Sequence, residues 1–123
     1  MTGADLKAMT VAQLVENLAE LGVKQNKALL WHDLSEVNSL YWRIDAIKEE
    51  LKGRPGDQRR ALLTLFNHPD LQVRLKVAKA TLAVAPDQAR AMLEHIAARH
   101  RGPQAGDAGM CLWNLDRGVF VPK

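Results

Sequence analysis

Between Pro69 and Val84 the chain carries two apolar stripes, and few folds can accept such a segment. Read as a helix at about 100° per residue, Leu71, Leu75, Ala78 and Leu82 share one face, while Val73, Val77, Ala80 and Val84 share the opposite one. A helix at a protein surface needs one apolar stripe. Two stripes demand cover on both sides, so this segment is expected to be the central helix of a stack. Gln72, Lys76 and Lys79 form the narrow wedge left for solvent. Arg74 lies outside that wedge, beside Thr81 and between the stripes. Asp70 precedes Arg74 by four residues, the favourable order for an ion pair on a helix. It also lies in the expected first turn, where the helix dipole favours an anion, with Pro69 at the first helical position. The expectation for Asp70 and Arg74 is therefore a structural ion pair.

The rest of the chain reads as further helices, about six in all, so the fold class is all-α. Residues 1–8 read as a flexible start. Thr10 followed by Gln13 is a capping box, opening a helix to about residue 29 with Val11, Leu14, Val15, Leu18, Leu21, Gln25 and Leu29 on its stripe. After a corner at Leu30-Trp31-His32-Asp33, a second helix runs to about residue 52, capped by Asp33 or Ser35. Its inward stripe is Leu34, Val37, Leu40, Tyr41, Ile44, Ile47 and Leu51, and Trp42 projects almost opposite. Lys52-Gly53-Arg54-Pro55-Gly56 breaks the helix. A short helix over about 57–66 should turn Ala61, Leu62, Leu65 and Phe66 inward. The helix from Pro86 buries Ala89, Met92, Leu93, Ile96 and Ala97. The last, from Pro103 to about Asp116, is rich in Ala and Gly, so it should be weak by itself and held by tight packing. Arg117-Gly118 reads as its C-cap, and the tail 119–123 should lie back on the body.

Asn67-His68-Pro69-Asp70, followed by Val73-Arg74, two alanines and Leu82, resembles the second helix of a HEAT-type repeat. From about residue 11 to the end, the chain also resembles a family of small bacterial proteins of unknown function with HEAT-like helices. That resemblance is carried by Leu29-Leu30-Trp31, by the run from Arg54 to Leu63, and by the run from Pro103 to Leu112. It implies an all-helical fold and no known activity. With offsets of 30 between Leu62-Leu63-Phe66 and Met92-Leu93-Ile96, which suit helix-pair repeats, the expected architecture is a short HEAT-like stack of antiparallel helix pairs. It should be right-handed and form one domain over residues 1–123.

Composition bounds the function. The chain has 123 residues, 47% apolar and 25% charged, ordinary values for a globular domain. No apolar run approaches the ~18 residues of a membrane span, and the first nine residues hold no secretory signal. Cys111 has no intrachain partner cysteine, which suits a reducing compartment, by default the cytoplasm. Ser35 and Ser39 sit in no nucleophile elbow, and Cys111 reads as buried packing. His95 and His100 are five apart and do not share a helix face. Phosphate-loop and dinucleotide signatures are missing. No catalytic residue, metal ligand or cofactor is expected, and the chain is read as not an enzyme.

The net charge of +3 is uneven: residues 1–50 carry five basic and eight acidic residues, and residues 51–123 carry twelve and six. A basic half can meet nucleic acid, through Arg59, Arg60, Lys76, Lys79, Arg99 and Arg101. Those cations are spread over several helices with no interleaved aromatic, however, and most such residues solvate a helical surface. The preferred reading is a protein–protein interaction module, of the size of many bacterial adaptors and toxin-neutralising proteins. Its expected contacts are Trp42, Arg59, Arg60, Lys76 and Lys79. Nucleic acid is the alternative partner.

Overall fold

Two local signals start the two longest helices, as the sequence suggests. In a computed structural model, which describes the backbone of residues 3–123 and side chains from Asp5 onward, Thr10 Oγ1 accepts from Gln13 N at 3.1 Å and Gln13 Oε1 accepts from Thr10 N at 2.8 Å. Asp33 Oδ1 accepts from Glu36 N at 3.1 Å. The elements are α1 (Gly3–Lys7), α2 (Val11–Leu30), α3 (Leu34–Gly53), a 3₁₀ helix (Gln58–Asn67), α4 (Leu71–Thr81), α5 (Pro86–Arg99) and α6 (Pro103–Asp116). No strand occurs among the described residues. The chain forms two compact units, Met1–Leu62 and Leu63–Lys123.

In the first unit, α2 and α3 pair as neighbours across the short corner, which makes them antiparallel. Leu14, Leu18 and Leu21 from α2 and Leu40, Ile44, Ile47 and Leu51 from α3 are buried. Gln25 is buried with them, its amide donating to Val37 O at 3.1 Å. Leu34 and Tyr41, expected on the inward stripe of α3, are exposed. At 100° per residue they stand about 90–110° from the centre of the arc set by Leu40, Ile44, Ile47 and Leu51. The expected flexible start is also revised. Residues 1 and 2 lie outside the described residues, but Gly3–Lys7 is a helical turn with Leu6 buried and Leu6 O accepting from Arg54 Nη2 at 2.9 Å.

Gly56 and Asp57 both take positive φ, +79° and +49°, and the helix that follows is 3₁₀ rather than α. Three residues per turn aligns Arg59, Leu62 and Leu65, and the first two are buried. That period explains why the face expected from 3.6 residues per turn (Ala61, Leu62, Leu65, Phe66) is only half right.

In the second unit, Leu75, Ala78 and Leu82 of α4 join Ala89, Leu93 and Ile96 of α5 and Ala108 and Cys111 of α6 in one apolar cluster. The opposite stripe of α4 is buried too: Val73 and Val77 have no exposed surface and Ala80 little. The polar wedge is narrower than expected. Gln72 is buried, its Oε1 accepting from Gln104 Nε2 at 3.2 Å across α4 and α6.

The N-terminus of α4 differs from expectation in one residue of register. Asp70 is the N-cap, not a first-turn residue, so Pro69 precedes the cap. The tail 119–123 is less docked than expected, since Val119, Phe120 and Val121 are exposed. It is anchored by its backbone instead. Gly118 at φ +72° donates to Leu115 O at 3.2 Å and Val119 N to Asn114 O at 3.0 Å, the paired bonds of a Schellman cap.

Tight packing does not explain the glycines of α6. A Cβ built on Gly106 or Gly109 meets nothing within 4 Å, and only Gln104, Ala108 and Cys111 of this helix are buried. Glycine inside a helix costs about 0.5–1 kcal/mol relative to alanine. Gly109→Ala is therefore expected to raise stability by about that amount, read as a higher urea midpoint at unchanged slope.

Candidate partner-binding surface

Helical phase decides which large side chains of the first unit meet water. Trp42 lies about 170° from the buried arc of α3 and is 62% exposed. The Tyr41 ring meets it edge-on, with centroids 5.1 Å apart. At the corner, Leu30, Trp31 and Leu34 are 74%, 76% and 72% exposed. The corner is held by backbone, not by side-chain burial. His32 takes φ +56°, Trp31 N donates to Lys27 O at 3.1 Å and Asp33 N to Ala28 O at 2.9 Å. Leu30, Trp31 and Leu34 therefore add to Trp42 as contact candidates that periodicity missed. Leu34 was hidden by its place on an apparently inward stripe, and Leu30 and Trp31 lie where the stripe ends.

The basic candidates divide. Arg59 is not presented for contact. It is 6% exposed, and its Nε and Nη2 donate to the two carboxylate oxygens of Asp57 at 2.9 and 2.6 Å. This bidentate bond holds the Asp57 carboxyl below its ordinary range and raises the Arg59 guanidinium. Lys79 Nζ donates to Asp107 Oδ1 at 2.9 Å. Arg60 is exposed and Lys76 half-buried, and each engages another group of the chain. Arg99 and Arg101 are exposed.

The ion pair expected between Asp70 and Arg74 does not form. Asp70 Oδ1 accepts from Gln72 N at 2.9 Å and Val73 N at 3.2 Å, satisfying two helix-end donors that would otherwise lack partners. The Asp70 side chain is drawn to the helix end and away from Arg74, whose Nε is buried without a hydrogen-bond partner. His68 Nδ1 accepts from Asp70 N at 3.0 Å, which fixes the entry to the helix.

The remaining reactive groups are chemically quiet. Cys111 is buried, and burial pushes its thiol up, away from the thiolate a nucleophile requires. The rings of His95 and His100 do approach, with centroids 6.0 Å apart, because His100 is the C-cap of α5 in extended conformation and swings off the helix lattice. No group of three or more metal-ligating side chains gathers among the described residues. None of the described helices is long and apolar enough to cross a membrane.

Comparison with known proteins places the chain. No curated protein matches it. A solved structure, that of the protein RPA1889 from Rhodopseudomonas palustris CGA009, is 52% identical in sequence. The match covers 96% of this chain and 98% of that chain with a TM-score of 0.93. The family model described as "Domain of unknown function (DUF2019)" matches residues 12–116. The chain therefore belongs to the DUF2019 family, with an all-helical fold close to that of RPA1889.

Proposed function

We propose that the protein is a non-enzymatic module that binds another protein through the exposed surface of its first unit, at the α2–α3 corner and Trp42. The observation that carries this reading is the exposure of Leu30, Trp31, Leu34 and Trp42 together on one helical hairpin. Leu30, Trp31 and Leu34 at the corner, with Trp42 about two turns further along α3, leave on the order of several hundred Å² of apolar side chain in water, an amount that often marks an interaction site. Trp is among the residues that most often dominate binding energy. Acidic side chains border the corner, with Asp33 and Glu36 both exposed, so a partner surface that is apolar with a basic rim fits it best. An adaptor or toxin-neutralising role is compatible with a small module of this kind. The Asp70 cap followed by Val73-Arg74 supports a HEAT-like reading of the α4 segment. A lone, buried Cys111 suits a reducing compartment such as the cytoplasm.

Nucleic acid has less support as a partner. Of the six candidate cations, Arg59 is buried on Asp57 and Lys79 is bound to Asp107, leaving fewer charges to neutralise phosphates.

The test compares capture by the wild-type chain with capture by Trp31→Ala/Trp42→Ala, using extracts with and without nuclease. A protein retained by the wild type, insensitive to nuclease and reduced about tenfold or more with the double variant is expected, the loss of two hot-spot residues. Equal capture by both chains would remove the corner from the proposal. Loss of capture after nuclease treatment would favour nucleic acid.

A further inference from the structure

Two imidazoles meet at the C-terminal end of α5. His95 lies one turn before that end, and a spacing of five residues would place His100 about 140° around the axis if the helix ran on. It does not run on. His100 takes extended angles, φ −125° and ψ 165°, while its N still donates to Ile96 O at 3.2 Å. Gly102 follows at φ +95°, a conformation that glycine adopts readily, and Pro103 opens α6. The His100 ring thus returns toward His95, with centroids 6.0 Å apart and planes at 69°. Neither ring has a hydrogen bond or an ion pair with another described residue. The adjacent carboxylate of Glu94 faces Arg90 instead, at 3.6 Å. His95 is exposed and His100 half-buried, so both are open to a solute.

We infer that His95 and His100 form a two-imidazole site for a divalent transition metal of the zinc, nickel and copper class, with water in the remaining positions. Imidazole nitrogen suits these ions, whereas magnesium and calcium take oxygen ligands. With Zn–N bonds of about 2.0–2.1 Å, two imidazoles on one tetrahedral centre have centroids about 5 Å apart. The observed pair therefore closes by about 1 Å on binding, a small side-chain adjustment for rings that are open to solvent. Both ligands belong to one short stretch, tied at one end to α5 and at the other to α6, so little chain has to be ordered.

Two features keep the affinity modest. No described carboxylate or carbonyl accepts from the rings, so neither is oriented from behind as metal-binding histidines usually are. Arg99 and Arg101 flank the pair in sequence and are exposed, and they repel a dication. Salt screens such repulsion, over about 8 Å at physiological ionic strength, so a non-coordinating salt should tighten binding. The other two histidines of the chain offer single rings. His68 Nδ1 already accepts from Asp70 N at 3.0 Å, and His32 stands at the α2–α3 corner.

The experiment is isothermal titration of the full chain, free of any histidine tag, with zinc chloride at neutral pH, and with magnesium chloride as the comparison. The variants are His95→Gln and His100→Gln, with His32→Gln as the control. All three positions are at least partly open to solvent, so the fold should be kept, checked by circular dichroism and thermal melting. The expected result is one zinc ion per wild-type chain and no binding of magnesium. Affinity for zinc falls about tenfold or more in His95→Gln and in His100→Gln alike, because each removes one of two metal bonds, and is unchanged in His32→Gln. A wild type that takes up no zinc at concentrations up to about 1 mM, a contact weaker than about −4 kcal/mol, overturns the inference. So does zinc binding that survives either His95→Gln or His100→Gln, since the pair would then not be the site.

Discussion

Leu75→Ala is expected to lower the stability of the second unit by about 2–5 kcal/mol, the range for emptying a buried leucine site. Leu75 is 1% exposed and belongs to the cluster that joins α4, α5 and α6. Its neighbours there come from three helices, so the site closes only if two of them shift, and that places the cost in the upper part of the range. Leu34→Ala is the control, since it deletes the same atoms from a side chain that is largely in water. It should cost under about 0.5 kcal/mol. Paired urea melts read both values at once. Similar losses for the two variants would mean that α4 does not carry the core face assigned to it.

Asp57→Asn is expected to cost about 1.5–3 kcal/mol at neutral pH, the worth of a hydrogen bond to a charged group. Removing one partner leaves the Arg59 charge buried and poorly matched. The value stays below that of a fully enclosed pair because a third of the Asp57 side chain remains in water. The pH dependence has a definite sign. Arg59 depresses the Asp57 carboxyl in the folded chain, so the stabilisation is fully present above the unfolded carboxyl range, near pH 4. It is lost as pH falls through the lower folded value. The gap between wild type and Asp57→Asn should therefore be constant from about pH 5 to 7 and close on acidification. A gap that widens in acid would contradict the pairing.

Local signals were legible in the sequence, and signals that depend on phase or on distant atoms were less so. The Thr10–Gln13 box and the Asp33 cap involve partners three residues away, and both form. Trp42 was placed correctly because its angle is nearly opposite the α3 stripe, whereas Leu34 and Tyr41 sit at the edge of that stripe, where a small angular error turns inside into outside. The 3₁₀ helix was hidden because Leu62, Leu65 and Phe66 have the i, i+3, i+4 spacing of an α-helix, while the residue that marks the three-residue period with Leu62 is Arg59, a charged side chain not expected inside. Asp70 had two plausible partners, the helix end and Arg74, and two backbone donors outweighed one side chain. The hollows above Gly106 and Gly109 could not be read at all, since a composition rich in small residues is compatible with close contact and with open space.

Asp57 also bears on which residues the position can accept through evolution. Its left-handed backbone, φ +49°, is tolerated chiefly by glycine, asparagine and aspartate. Its partnership with buried Arg59 calls for a carboxylate, which only aspartate and glutamate supply. Glutamate meets the second demand and not the first, whereas asparagine and glycine meet the first and not the second. The two alphabets overlap in a single letter, so two unrelated physical demands leave this surface turn with less freedom to vary than much of the apolar core, where leucine, isoleucine and methionine can trade places.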